Sequence, residues 1–222
     1  MFVIPKYVSG LDIETGGAGA DAYIASLSIA TWRVSDLAYV GHFDHLIGFE
    51  DPMQKGRSFE PRVMDWWKGL GDGAPDKRAY EILCNARGNL MDGLQGLDNY
   101  LYRMNRENNL KLGEHVLVCK GPDFDPVIIQ HARHQLNVKF YMPARMLDSA
   151  RTMERMAACL QMPAVNRQAL AKLSPYGEVI EHVSICDAQL EGFEAARLYN
   201  TALALAGAGL DDYMMVAPHE KN

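Results

Sequence analysis

Within the first 47 positions an apolar run, Tyr7–Leu11, leads into Leu11-Asp12-Ile13-Glu14-Thr15, and two further runs, Tyr23–Val34 and Tyr39–Leu46, alternate apolar with small or polar side chains. Alternation sends successive side chains to opposite faces of a strand, so the three runs joined by short turns constrain the chain to an antiparallel meander. Gly16-Gly17 ends the first run in a tight turn. On that strand residues two apart share a face, so Asp12 and Glu14 project side by side while Leu11 and Ile13 enter the core. Carboxylates held that close raise each other's pKa unless a cation neutralises them, and an all-oxygen donor set suits Mg²⁺ or Mn²⁺. His42 and His45 differ by an odd spacing, fall on opposite strand faces and read as surface histidines.

The segment Gly48–Asp76 is rich in Gly and Pro and encloses a short helical stretch, Arg62–Lys68, with Trp66 and Trp67 adjacent. Neighbouring helix positions diverge, so one indole can face the core while the other cannot easily do so; either both plug the edge of the fold or one offers a base a stacking surface. From Lys77 to Asn105 the pattern turns helical, with Leu90, Leu94, Leu97, Leu101 and Met104 forming one apolar stripe.

His115–Cys119 is continuously apolar, the mark of a strand covered on both faces. A turn at Gly121-Pro122 leads into a helix, and because Pro126 suits a first helical position, Asp125 reads as its N-cap and Asp123 as a solvated loop residue. Val138–Tyr141 suggests a further strand. Asp148 or Ser149 can cap the next helix, which carries Met153, Met156 and Leu160 inward. Arg151, in its first turn, opposes the helix dipole and calls for a partner: Asp148 or a substrate phosphate. Glu181–Gly192 opens a long C-terminal helix with Ala188, Leu190, Phe193, Ala196, Ala202 and Leu203. Inside one helix His182 and Asp187 would stand about 140° apart, but with His182 in the preceding loop both can face one point.

The chain's 222 residues fit a single domain over 1–222. No apolar run approaches the roughly 20 residues that span a bilayer, and the N-terminus lacks the pattern of a signal peptide. The four cysteines form no C-x-x-C pair, which points to reduced thiols in a cytoplasmic setting. A net charge of −6 argues against broad attraction to a nucleic-acid backbone, yet leaves room for phosphate held locally through metal ions.

Three motifs in order, Asp12-Ile-Glu14-Thr15, Gly121-x-x-Phe124-Asp125 and His182-x₄-Asp187-Ala188, resemble those of the DEDDh group of 3′→5′ exonucleases. Trp66-Trp67 after a Pro-containing loop, and Leu147-Asp148-x-x-Arg151-Thr152, look most like the phage exonuclease A type. They also resemble the nuclease domain of exonuclease VIII and single-domain exoribonucleases. The resemblance implies an α/β, ribonuclease H-like mixed sheet, an antiparallel meander plus parallel strands, flanked by helices. It implies two divalent ions, Mg²⁺ or Mn²⁺, held by Asp12, Glu14, Asp125 and Asp187, with His182 as general base and nucleic acid with a free 3′ end as substrate. Thr15, Phe124, Trp66, Trp67 and Arg151 are then expected to hold the terminal nucleotides. The products would be 5′-mononucleotides, with DNA favoured over RNA. An exoribonuclease of the same mechanism, or a binding module that has lost the reaction, is the alternative. Lys120, in place of a small polar residue before Gly121, departs from the pattern and bears on how substrate is held.

The chemistry of such a site follows without the family name. Hydrolysing a phosphodiester needs an activated water and neutralised phosphate oxygens, which a pair of divalent ions about 3.5–4 Å apart can provide. An imidazole, titrating near pH ~6.5 in water, can accept the water's proton where metal-bound carboxylates cannot.

Overall fold

The computed structural model describes residues 5–70, 73–139 and 147–208. Its sheet has five strands in the order β3-β2-β1-β4-β5. β1 (Tyr7–Thr15), β2 (Ile24–Arg33) and β3 (Tyr39–Leu46) form the expected antiparallel meander. β4 (His115–Cys119) and β5 (Leu147–Ser149) continue it in parallel with β1. The mixed α/β sheet is therefore the one the motifs imply.

Alternation decides what each face receives. Leu11 and Ile13 of β1 meet α3 (Leu90–Glu107) and α4 (Asp125–Gln135), where the predicted stripe Leu90, Leu94, Leu97, Leu101 and Met104 is buried throughout. Each of those leucines contributes about 1.5–3 kcal/mol by leaving water. Val8 on the other face packs with Trp32, Val116 and Val118 against α7 (Ser184–Ala208) and Met153 of α5 (Ala150–Cys159). β4 is buried at every position, as its unbroken apolar run requires.

Several local expectations change. The single helix expected over Lys77–Asn105 is two, α2 (Lys77–Cys84) and α3, because Gly88 pairs with Ile47 at the end of β3 and draws the chain into the sheet. A Cβ at Gly88 would lie 2.4 Å from the Leu46 carbonyl oxygen, so only glycine fits there. Asn89 then caps α3 by accepting from the Asp92 amide at 2.9 Å. His45 is no surface residue: half-buried, it lies against Gly93 and 2.9 Å from the Asn89 carbonyl, whereas His42 is exposed. Ser149 is the cap of α5, but of its expected inward residues only Met153 is buried, and Met156 and Leu160 stand exposed. The strand expected at Val138–Tyr141 runs into residues outside those described, and Val138 and Lys139 are not in a strand.

α1 (Pro61–Trp67) follows a short 3₁₀ turn at Pro52–Gln54, and α6 (Arg167–Ala171) precedes α7. α7 crosses β1 at very close range. A Cβ on Gly10 would sit 2.0 Å from the Ala188 carbonyl oxygen, and one on Gly192 2.7 Å from the Gly10 nitrogen. This glycine-to-glycine crossing seats the first turns of α7 over the C-terminal half of β1. Among the described residues no helix is long and apolar enough to cross a membrane.

Candidate active site

β1 and β4 run parallel with Gly10 opposite Val118, so their C-terminal ends open on the same edge of the sheet. Ligands of α/β folds collect at such ends, because the chain leaves each strand there in a loop free to carry polar groups. Beyond the paired region, β1 carries Asp12 and Glu14, while β4 leads through Lys120 and Gly121 to Asp125. α7 supplies Asp187 from its first turn.

Asp125 is 3% exposed and begins α4 rather than capping it: Phe124 takes the cap position and Pro126 the second helical one. The carboxylate thus stays at the positive end of the helix, one residue further in than expected. Asp12 and Asp125 line a cleft of about 330 Å³ together with Lys120, Asp123, Phe124 and Arg151. A larger cavity, about 540 Å³ between residues 48–52 and 84–89, holds none of the clustered carboxylates.

His182 lies in the loop before α7, in the left-handed region at φ 61°, and its amide donates to Asp187 Oδ2 at 2.9 Å. That bond joins the two residues, and ligand atoms of Glu14, His182 and Asp187 lie within 4.8 Å of one another. Trp66 meets the imidazole edge-on, with ring centroids 4.9 Å apart at 81°.

Burial and mutual repulsion govern the electrostatics. Loss of water raises Asp12 well above the usual carboxylate range, and Glu14, Asp125, Glu191 and Asp187 push it further. Glu14 rises for the same reason, with Asp187 and Asp125 adding to burial and Lys120 opposing. Burial lifts Asp125 to about 7 against the backbone amides of Asp125 and Ile13 and the charges of Arg151 and Lys120. Asp187 is raised by burial despite its bond to the His182 amide. Among the described residues Asp12 Oδ2, sealed from solvent, has no hydrogen-bond partner. Hard oxygen donors, mutual repulsion and an orphaned carboxylate oxygen together fit a divalent cation.

The expected substrate contacts divide. Phe124 is half-buried in the cleft wall and Arg151 is exposed beside Asp125. Trp67 is 3% exposed, and its indole N–H donates to the Thr15 carbonyl at 3.1 Å, so it has no face to offer a base. Thr15 is buried and its hydroxyl donates to Gly17 O at 2.7 Å, which spends it inside the turn. Trp66, half-buried, is the indole left with an accessible part. Asp148 is not seen to pair with Arg151; it accepts from the Tyr199 hydroxyl at 2.6 Å.

Sequence reasoning passed over one residue. Glu191 is 4% exposed, faces the same group of carboxylates and is lifted by burial to about 9. Its signal was available: it lies one helical turn after Asp187, on the same face.

Residues 9–191 match the Rv2179c-like 3′-5′ exoribonuclease domain. The chain belongs to this family. Its members are DEDDh-type 3′–5′ exonucleases, hence hydrolases, and the family implies dependence on a divalent metal. Among solved structures, the nuclease domain of 3′hExo, a DEDDh family member bound to rAMP, aligns at TM-score 0.53 and 12% identity, covering 94% of this chain and 96% of that one. The cell-death related nuclease CRN-4 aligns at TM-score 0.53 and 12% identity over 93% of this chain, which spans 65% of CRN-4, less than two thirds. At these identities the likeness is one of fold, and the fold is ribonuclease H-like. No curated protein sequence matches. In this exoribonuclease-domain chain, Asp12, Glu14, Asp125, Asp187 and His182 come from β1, α4 and the α7 region to one edge of the sheet.

Proposed function

We propose that this site removes nucleotides one at a time from the 3′ end of nucleic acid, releasing 5′-mononucleotides. The observation that carries the reading is the clustering of Asp12, Glu14, Asp125 and Asp187 within mutual repulsion, with His182 beside Glu14 and Asp187 and, among the described residues, Asp12 Oδ2 buried and unpartnered. In this reading Asp12, Glu14, Asp125 and Asp187 hold two divalent ions, Mg²⁺ or Mn²⁺. Bound ions of this kind neutralise phosphate oxygens and lower the pKa of a water.

The chain's own residues do the rest. His182 takes the proton of the attacking water as its oxygen bonds to phosphorus and the P–O3′ bond breaks; the departing 3′ oxygen is protonated from solvent. The bond from the His182 amide to Asp187 holds the loop, and Trp66 limits rotation of the imidazole. Arg151 and Lys120 offer the substrate phosphates positive charge in an otherwise acidic cleft, and Phe124 gives the terminal nucleotide an apolar wall. The whole chain is read as one nuclease domain.

RNA is the substrate that the family description supports, while the phage-type likeness of Trp66-Trp67 and the Leu147–Thr152 segment leans to DNA. Matched RNA and DNA single strands, labelled at the 5′ end and incubated with Mg²⁺ or Mn²⁺, test both points. Stepwise shortening from the 3′ end that a chelator stops is the expected result. Intact strands, or an undiminished rate in Asp12→Ala, would overturn the reading.

A further inference from the structure

Among the described residues, Glu191 is the acidic residue with both carboxylate oxygens buried and unpartnered. It lies in α7, four positions after Asp187 and therefore on the same helical face. The close crossing at Gly10 and Gly192 presses this stretch of helix onto β1. Glu191 is 4% exposed, and among the described residues neither of its carboxylate oxygens has a hydrogen-bond donor. A buried carboxylate without a partner is strongly disfavoured, several kcal/mol by general estimates. Nor is its neighbourhood apolar: it is near enough to Asp12, Glu14, Asp125 and Asp187 to repel all of them, and Lys120 is the cation that opposes this repulsion at Glu191. Asp12 Oδ2 is orphaned in the same place. Three oxygens without donors, contributed by two elements and directed into one acidic cluster, describe a site for a cation rather than a core.

We infer that Glu191 is a fifth carboxylate of the cation site, one that would hold a divalent ion directly or through a bound water. This rests on the metal-dependent reading above and deepens it. With five carboxylates, the site carries more negative charge than two divalent ions cancel, so Lys120 completes the neutralisation from the cleft side. Its departure from the family pattern, in place of a small residue before Gly121, then acquires a purpose.

The test is calorimetric titration of the full metal-free chain with Mn²⁺ alone, for wild type, Asp12→Asn, Glu191→Gln and Glu191→Asp, with melting measured with and without the ion. Glu191→Gln is expected to weaken Mn²⁺ binding about 10–100-fold while the metal-free protein melts at or above the wild-type temperature. Glu191→Asp, which keeps the charge but withdraws it by one methylene, weakens binding as well and carries the test if the glutamine variant does not fold. Unchanged Mn²⁺ affinity in the folded Glu191 variants, with Asp12→Asn impaired, overturns the role of Glu191 and leaves the metal-dependent reading standing. A wild-type chain that takes up no Mn²⁺ overturns both. A purely structural Glu191 would do the reverse of what is expected: the melting temperature would drop and the affinity would hold.

Discussion

Two buried polar assemblies share β1. Near its start, Ser9 points to the α3 face and joins a closed network: its hydroxyl lies 2.5 Å from Thr31 Oγ1 and 2.7 Å from His115 Nε2. His115 Nδ1 meets Asn105 Oδ1 at 2.8 Å, and Tyr100 donates to Thr31 Oγ1 at 2.7 Å. Further along, on the opposite face, Asp12 and Glu14 enter a group of carboxylates in which buried oxygens go without donors. The first assembly is complete within the chain and serves stability. The second is incomplete, and a folded protein tolerates that where something from outside supplies the missing charge.

The comparison can be broken by mutation. Asp12→Asn should lower kcat by about 10³-fold or more, the scale of losing a preorganised electrostatic element, while the metal-free chain melts no lower than wild type. Comparable melting loss and activity loss in that variant would erase the distinction. His115→Ala should do the opposite, costing roughly 3 kcal/mol through a cavity and unsatisfied Ser9 and Asn105 groups, or roughly 6–12 °C in melting temperature, with kcat preserved below the transition.

The pH dependences should have opposite signs. Burial holds His115 at about 4, below its ordinary 6.5. Its contribution, on the order of 3 kcal/mol, is complete above the ordinary value and lost as pH falls through about 4. Asp125 and Glu191, raised to about 7 and about 9 from 3.8 and 4.5, act in reverse: their contribution is present at low pH and lost as pH rises through those values. The metal-free protein should therefore melt progressively lower between pH 6.5 and 9, and Mn²⁺ should remove that slope. Melting scans across this range decide it.

The smallest effect concerns Trp66. Replacing it with Ala removes the ring that braces His182 and should lower kcat about threefold to tenfold, with Trp66→Phe retaining most of the rate. Steady-state kinetics showing a KM effect alone would reassign Trp66 to substrate contact.

Legibility in the sequence followed the range of the forces involved. Strand alternation in the meander, the continuous apolar run of β4 and the leucine stripe of α3 are local patterns, and all three elements formed as read. The break at Gly88 was invisible because it depends on pairing with Ile47, distant in sequence. Met156 and Leu160 carry the right period for burial, yet lie exposed, since period cannot say whether another element arrives to cover them. In the same way Trp67 and Thr15 were readable as polar or aromatic groups near a motif, but the indole's bond to the Thr15 carbonyl and the Thr15 hydroxyl's bond to Gly17 O engage both within the fold.

By itself the sequence determined which side chains could do chemistry and which local element would carry each, because alternation, capping and helical period act over a few residues. Only the tertiary structure decided which of them meet. The parallel register of β1 and β4 sets Asp12 and Glu14 beside the loop leading to Asp125, and the Gly10–Gly192 crossing lowers Asp187 and Glu191 onto the same point. Burial and shared charge are properties of that convergence, so the orphaned oxygens of Asp12 and Glu191 exist only once the helix has closed over the strand.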